Sequence, residues 1–156
     1  MVWKKYNGSV ISGDILNEVE QTLSREKAMG FRTHICIGTD SQVTSGVTEF
    51  ATVIVFIRER AGGFMFITKE KTRQIFGLKE RMITEVSKSV NVAYMLQPVL
   101  EKLKVRLEVH ADINADPSYK SHAAFAEAMG YIKGMGYDFK AKPDAFASSY
   151  CADKVI

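Results

Sequence analysis

Cysteine is scarce in this chain of 156 residues, with only Cys36 and Cys151 present. Two thiols make neither a disulfide framework nor a cysteine-rich zinc motif. Cys36 lies inside an apolar, strand-like run, where a buried free thiol is the expected state. Proline is almost as rare, at positions 98, 117 and 143, so no Pro-rich linker divides the chain. No internal repeat or low-complexity segment is present. No apolar run approaches the ~18 residues that a bilayer-spanning helix needs. Nor does an apolar stretch of the signal-peptide kind follow Met1-Val2-Trp3-Lys4-Lys5. The expectation is a cytoplasmic protein with no membrane partner. Charge of one sign does not dominate either. The formal net charge of +3 permits a polyanionic partner without demanding one.

What is present is the composition of an ordinary globule, 46% hydrophobic and 25% charged. The length fits one domain over residues 1–156. A chain of this size buries roughly 68–70% of its unfolded surface, enough for a core without staples.

Hydrophobic periodicity sets the element order. Ile15, Val19, Thr22 and Leu23 form a helical stripe after Ser12-Gly13-Asp14, and Gly30 closes it. Residues 34–40 read as a first strand, 47–57 as a second and 64–68 as a third. The short loop between the last two predicts a hairpin. Leu78 to Leu103 is helical, with Pro98 as an interruption or end. Residues 105–111 make a fourth strand. Asp116 and Pro117 are placed as N-cap and first turn of the next helix, which Gly134-Met135-Gly136 ends. Residues 137–141 form a fifth strand, and a last helix follows Pro143. A hairpin followed by βαβ units implies a mixed α/β sheet with right-handed parallel crossovers and helices on both faces.

Two of these strands end in aspartate, Asp40 and Asp112. Ligands of open α/β sheets bind at the carboxyl ends of the strands. Alternation places Cys36, Gly38 and Asp40 on one face of the first strand, with small residues leaving room before the carboxylate. It places Arg106, Glu108, His110 and Asp112 together on the more polar face of the fourth. The bland alternative for each aspartate is a turn residue at a strand exit. It is stronger for Asp112, which opens the turn-rich run Asp112-Ile113-Asn114-Ala115-Asp116-Pro117. The long helix offers two acids. Glu80 continues along a polar stripe, whereas Glu85 continues through Ser89, Val92 and Leu96 and so faces the interior. A carboxylate there is costly unless paired or metal-bound. Asp144 suits a helix N-cap, and Asp153 sits in the last helix, where an acid near a C-terminus is mildly unfavourable.

At motif level, Ile37-Gly38-Thr39-Asp40-Ser41-Gln42, Val109-His110-Ala111-Asp112-Ile113-Asn114, Gly134-Met135-Gly136-Tyr137 and Lys142-Pro143-Asp144-Ala145-Phe146-Ala147-Ser148-Ser149 resemble the YkuK family of ribonuclease H-like proteins, as does Ser9-Val10-Ile11-Ser12-Gly13. The resemblance spans nearly the whole chain. It implies a ribonuclease H-like five-stranded mixed sheet with its second strand antiparallel, helices on both faces and an extra N-terminal helix. It also implies an acidic site in which Asp40 and Asp112 are the strand carboxylates, Glu85 the helix acid and Asp153 the last acid, with Asp144 its rival.

The function implied is a metal-dependent nuclease. Asp40, Glu85, Asp112 and Asp153 would hold two Mg²⁺ or Mn²⁺ ions and hydrolyse phosphodiester bonds of nucleic acid, with Ser41 and Gln42 touching substrate. The basic residues Lys69, Lys71, Arg73, Lys79 and Arg81 would follow phosphates, unless they form an ordinary solvated segment with Glu70 and Glu80. Tyr119 and His122 would approach substrate from the helix after Pro117. The basic insertion and His-bearing loop of hybrid-cleaving ribonuclease H are not evident here. The alternative is a non-catalytic nucleic-acid-binding or scaffold protein on the same fold.

Overall fold

The computed structural model describes residues 1–114, 116, 118, 122 and 124–156. Its first element is a short strand, β1 (Trp3–Lys5), followed by α1 (Ile15–Ala28). Asp14 caps α1 by accepting a hydrogen bond from the Leu16 amide, and Ile15, Val19, Thr22 and Leu23 form its buried stripe. Three long strands follow, β2 (Thr33–Thr44), β3 (Val47–Arg58) and β4 (Gly63–Thr72). The remainder alternates: α2 (Leu78–Leu103), β5 (Leu107–Asn114), α3 (Phe125–Gly134), β6 (Asp138–Lys142) and a last helix, α4 (Ala147–Ala152), wound with π-type turns.

The sheet order is β1-β4-β3-β2-β5-β6. The pairs β2–β3, β3–β4 and β1–β4 are antiparallel, whereas β2–β5 and β5–β6 are parallel. The strand count corrects the sequence expectation, since the sheet has six strands and not five. The added one is β1, where Trp3 is buried against the core. A three-residue strand is too short to declare itself by alternation.

One other boundary differs from expectation. Pro98 neither ends nor divides α2. It lies on the exposed side of the helix, between Leu96 and Val99, which are buried. Packing of that apolar stripe carries the helix past the missing amide. Of the helix expected after Asp116, the described residues show the α-helical part from Phe125 to Gly134. Asp116 does accept the Ser118 amide two residues on, the hydrogen bond expected of a cap, while Pro117 and Tyr119 lie outside the described residues.

Helices cover both faces of the sheet, and this explains why β3 runs apolar on both faces from Val53 to Ile57. Ile54 and Phe56 point into the larger core under α1, α2 and α3, together with Ile35, Ile37, Val90, Leu96, Val109 and Ile132. Val53 and Val55 point the other way, into a smaller core with Cys36, Met65, Ile67, Ala147 and Ala152 of α4. Among the described residues, no helix is long and apolar enough to cross a membrane.

Candidate functional site

The site is set by a divergence of strands. β2 and β5 pair in parallel from Ile35↔Leu107 to Gly38↔His110 and no further. Asp40 and Asp112 stand one side-chain repeat beyond that last rung, on the face covered by α4. Neither ends its strand. β2 continues to Thr44 against β3, turning through Ser45 and Gly46, both with positive φ. β5 continues to Asn114, with a bulge against β6 between His110 and Asn114. Asp112 is therefore a strand residue and not the start of a loop. A bulge at such a point re-aims the side chains around it.

α4 brings the fourth acid. Its backbone sits directly on Gly38, where a Cβ would lie 2.4 Å from the Ser148 amide nitrogen. This close seat lets Ser149 Oγ donate to Asp112 Oδ1 at 2.8 Å. It also places the Asp153 carboxyl in hydrogen-bond reach of Asp40. Asp144, the rival, is exposed in the turn after β6, where its amide donates to the Ala141 carbonyl. It provides no side-chain cap for α4.

Glu85 arrives from the opposite side of the sheet. Its helix is pinned to β2 by hydroxyls, with Thr39 Oγ1 2.7 Å from Ser89 Oγ and 2.9 Å from Thr52 Oγ1. One turn before Ser89, Glu85 is 7% exposed and accepts a hydrogen bond from Ser41 Oγ. The Ser41 hydroxyl is thus engaged with a carboxylate. Gln42 lies exposed on β2, in register with Glu49.

The electrostatics follow from this burial. Desolvation, then a hydrogen bond with Asp153 and the charges of Asp112 and Asp153, push the Asp40 carboxyl up to about 7; only the Ser41 amide opposes. Burial likewise raises Glu85 well above the ordinary carboxylate value, with Asp40 and Asp112 adding to it. The Ser41 hydroxyl and the Arg81 charge pull the other way. The four acids thus share one electrostatic neighbourhood. Lys142 enters it from β6, with its Nζ 2.9 Å from Asp112 Oδ1. Its pKa is raised by that hydrogen bond first, and further by Asp40 and Glu85. Lys142, Ser149 and Arg81 were not singled out for these roles by sequence reasoning. Of the five basic residues that were singled out, two are paired: Lys71 with Glu49 at 3.5 Å and Lys79 with Glu127 at 3.2 Å.

An all-carboxylate donor set suits hard divalent cations, and two buried acids with raised pKa values are short of positive charge. The residues therefore fit a Mg²⁺ or Mn²⁺ site. The four are not drawn into one tight cage. Among the described residues, the trio with ligand atoms all within 4.8 Å of one another lies further back on the same face: His34, Cys36 and Glu108.

A family model described as Ribonuclease H-like matches residues 14–156. The chain belongs to that family. The matched region is the YkuK group seen in the sequence motifs, and it begins after β1, so the sixth strand precedes the family's shared portion. No curated protein and no solved structure matches significantly. Membership in the ribonuclease H-like family points to activity related to nucleic acid.

Proposed function

We propose that this ribonuclease H-like protein is a divalent-metal-dependent nuclease that hydrolyses phosphodiester bonds at the Asp40, Glu85, Asp112 and Asp153 cluster. The observation that carries this reading is the meeting of four carboxyls from four separate elements, two of them buried, where β2 and β5 part. Asp40 and Asp112 are the primary ligands, because the sheet fixes both backbones. Glu85 joins from α2, held by Ser41. Asp153 completes the set from α4. A bound pair of Mg²⁺ or Mn²⁺ ions would supply an activated water and stabilise the leaving oxygen. The protein's own part is to fix the carboxylates, keep Glu85 dry, and offer Gln42 on the open edge to a polynucleotide strand.

The test is cleavage of labelled RNA, DNA and hybrid duplexes with Mn²⁺. Asp40→Asn should reduce cleavage to background while leaving the fold intact by circular dichroism. Unchanged cleavage in that variant defeats the assignment. Salt-dependent binding without any cleavage would favour a scaffold role instead.

A further inference from the structure

One face of the β2–β5 pair carries a ladder of chemistry-bearing residues. Cys36 is opposite Glu108, Gly38 is opposite His110, and Asp40 and Asp112 come next. The nuclease proposal uses only the last rung. The first rung lies four residues back, roughly 13 Å at the rise of a strand.

That rung holds a carboxylate in an unusual state of neglect. Glu108 is 8% exposed, in the middle of a sheet. Its Oε2 has the Cys36 thiol at 3.8 Å, a weak donor. The imidazole Nε2 atoms of His34 and His110 both stand 3.9 Å away, beyond hydrogen-bond range. A buried carboxylate without strong donors is costly.

His110 is a second, independent sign. It is 1% exposed, and its Nδ1 accepts the Ala147 amide at 3.1 Å. With Nδ1 used as an acceptor, the proton of the neutral ring sits on Nε2. That N–H is buried without a hydrogen-bond partner and faces Glu108. Phe146 packs edge-on against the ring and fixes its plane. A protonated Nε2 is not a metal ligand. It is placed to donate to a carboxylate that is itself a ligand, as the outer partners of metal sites do.

We propose that His34 Nε2, Cys36 Sγ and Glu108 Oε2 form a site for one transition-metal ion of the Zn²⁺ class, with His110 orienting Glu108. The three donor atoms already lie within 4.8 Å of one another. Bonds of about 2.0–2.3 Å put tetrahedral ligand atoms roughly 3.3–3.6 Å apart, so the two contacts to Glu108 Oε2, at 3.8 and 3.9 Å, close by some tenths of an ångström, and the His34–Cys36 pair closes by rotation of the partly exposed His34 side chain. One nitrogen, one sulfur and one oxygen form a borderline-soft set, unlike the all-oxygen acid cluster. His34, with a side chain 26% exposed, is the entry side. Coordination turns the Cys36 thiol into a thiolate and releases its proton to solvent. Burial first, then the charge and hydrogen bond of Glu108, push the Cys36 thiol up to about 12, so the bound cation itself must supply the ionisation; the Arg106 charge offsets this only in part and opposes the incoming cation. Three protein ligands leave a fourth position for water.

The experiment is titration of the full chain with Co²⁺ alone, followed by displacement with Zn²⁺. One equivalent should produce a thiolate-to-cobalt charge-transfer band in the near ultraviolet, and Zn²⁺ should bleach it. The band should vanish in Cys36→Ser and persist in Cys151→Ser and Asp40→Asn. In His34→Ala, at a partly exposed position that does not threaten the core, affinity should fall at least as far as the roughly ten- to hundredfold that outer partners of a ligand carry. Absence of the band, its survival in Cys36→Ser, its loss in Cys151→Ser, or unchanged affinity in His34→Ala would each overturn the site. Asp40→Asn separates this result from the nuclease proposal, because it removes a ligand of the acid cluster only.

Discussion

Gly38 and Ser148 are in backbone contact across the face of the sheet: a methyl group on Gly38 would stand 2.4 Å from the Ser148 nitrogen and 2.5 Å from the Ala147 carbonyl carbon. Both obstacles are main chain, so neither swings aside. Gly38→Ala should push α4 off the sheet and cost about 1–3 kcal/mol, the usual range for overpacking, read by denaturant unfolding. It should also weaken Mn²⁺ binding, because Asp153 and Ser149 travel with the helix. Gly130→Ala is the control. It has open space around the added Cβ and sits on the exposed side of α3, so it should stabilise by roughly 0.5–1 kcal/mol.

Asp40 predicts a pH dependence of stability. Its carboxyl is raised from 3.8 to about 7 by burial, by Asp153 and by neighbouring charge. Between those values the folded state holds a proton that the unfolded state has lost, so stability falls as pH rises through the window. Asp40→Asn removes that penalty. In chelator, the variant should melt above the wild type at pH 8, and the gap should close toward pH 4. Mn²⁺ should raise the melting temperature of the wild type at pH 8, by mass action on the folded state, and leave Asp40→Asn much less affected.

Lys142 competes with any cation for Asp112. Its ammonium holds Oδ1 at 2.9 Å with a side chain 41% exposed. Lys142→Met should therefore tighten Mn²⁺ binding by about two- to fivefold, the equivalent of a partly exposed ion pair. Calorimetric titration at constant ionic strength checks this, and weaker binding in the variant would show that Lys142 supports the cation site.

Away from the acid cluster, Arg58 is tied to Glu26. Glu26 is 2% exposed, and the guanidinium donates to both its oxygens, at 2.5 and 3.0 Å, while lying over Phe31 and Phe64. Removing one member of such a pair strands a buried charge. Arg58→Ala should lower the melting temperature by several degrees with no change in Mn²⁺ binding at the acid cluster. Arg58→Lys should rescue it only in part, because a lysine cannot match the two-oxygen geometry.

Periodic patterns made much of this architecture legible. The stripe through Ile15, Val19 and Leu23 gave α1, and the β-branched run from Ala51 to Ile57 gave the central strand. The phase of α2 turned Glu85 inward and Glu80 outward, as found. Less legible were features that depend on neighbours far along the chain. β1 is visible only through its pairing with β4. The extension of β2 past Asp40 depends on its pairing with β3. Lys142 gave no local sign of facing Asp112, since an isolated lysine before a helix reads as solvent-exposed.

The sequence by itself determined the buried stripe of α1, the apolar run of the central strand, the inward turn of Glu85, and that a hairpin precedes the βαβ units, because alternation and helical phase are local properties of a chain. Only the tertiary structure decided where β2 and β5 part, that α4 rests on Gly38 and turns Asp153 and not Asp144 toward Asp40, and that His34, Cys36 and Glu108 meet. Those are distances between segments as much as 113 residues apart in the sequence, Asp40 to Asp153, and they are fixed by strand register and by the close approach of two backbones, neither of which any local pattern encodes.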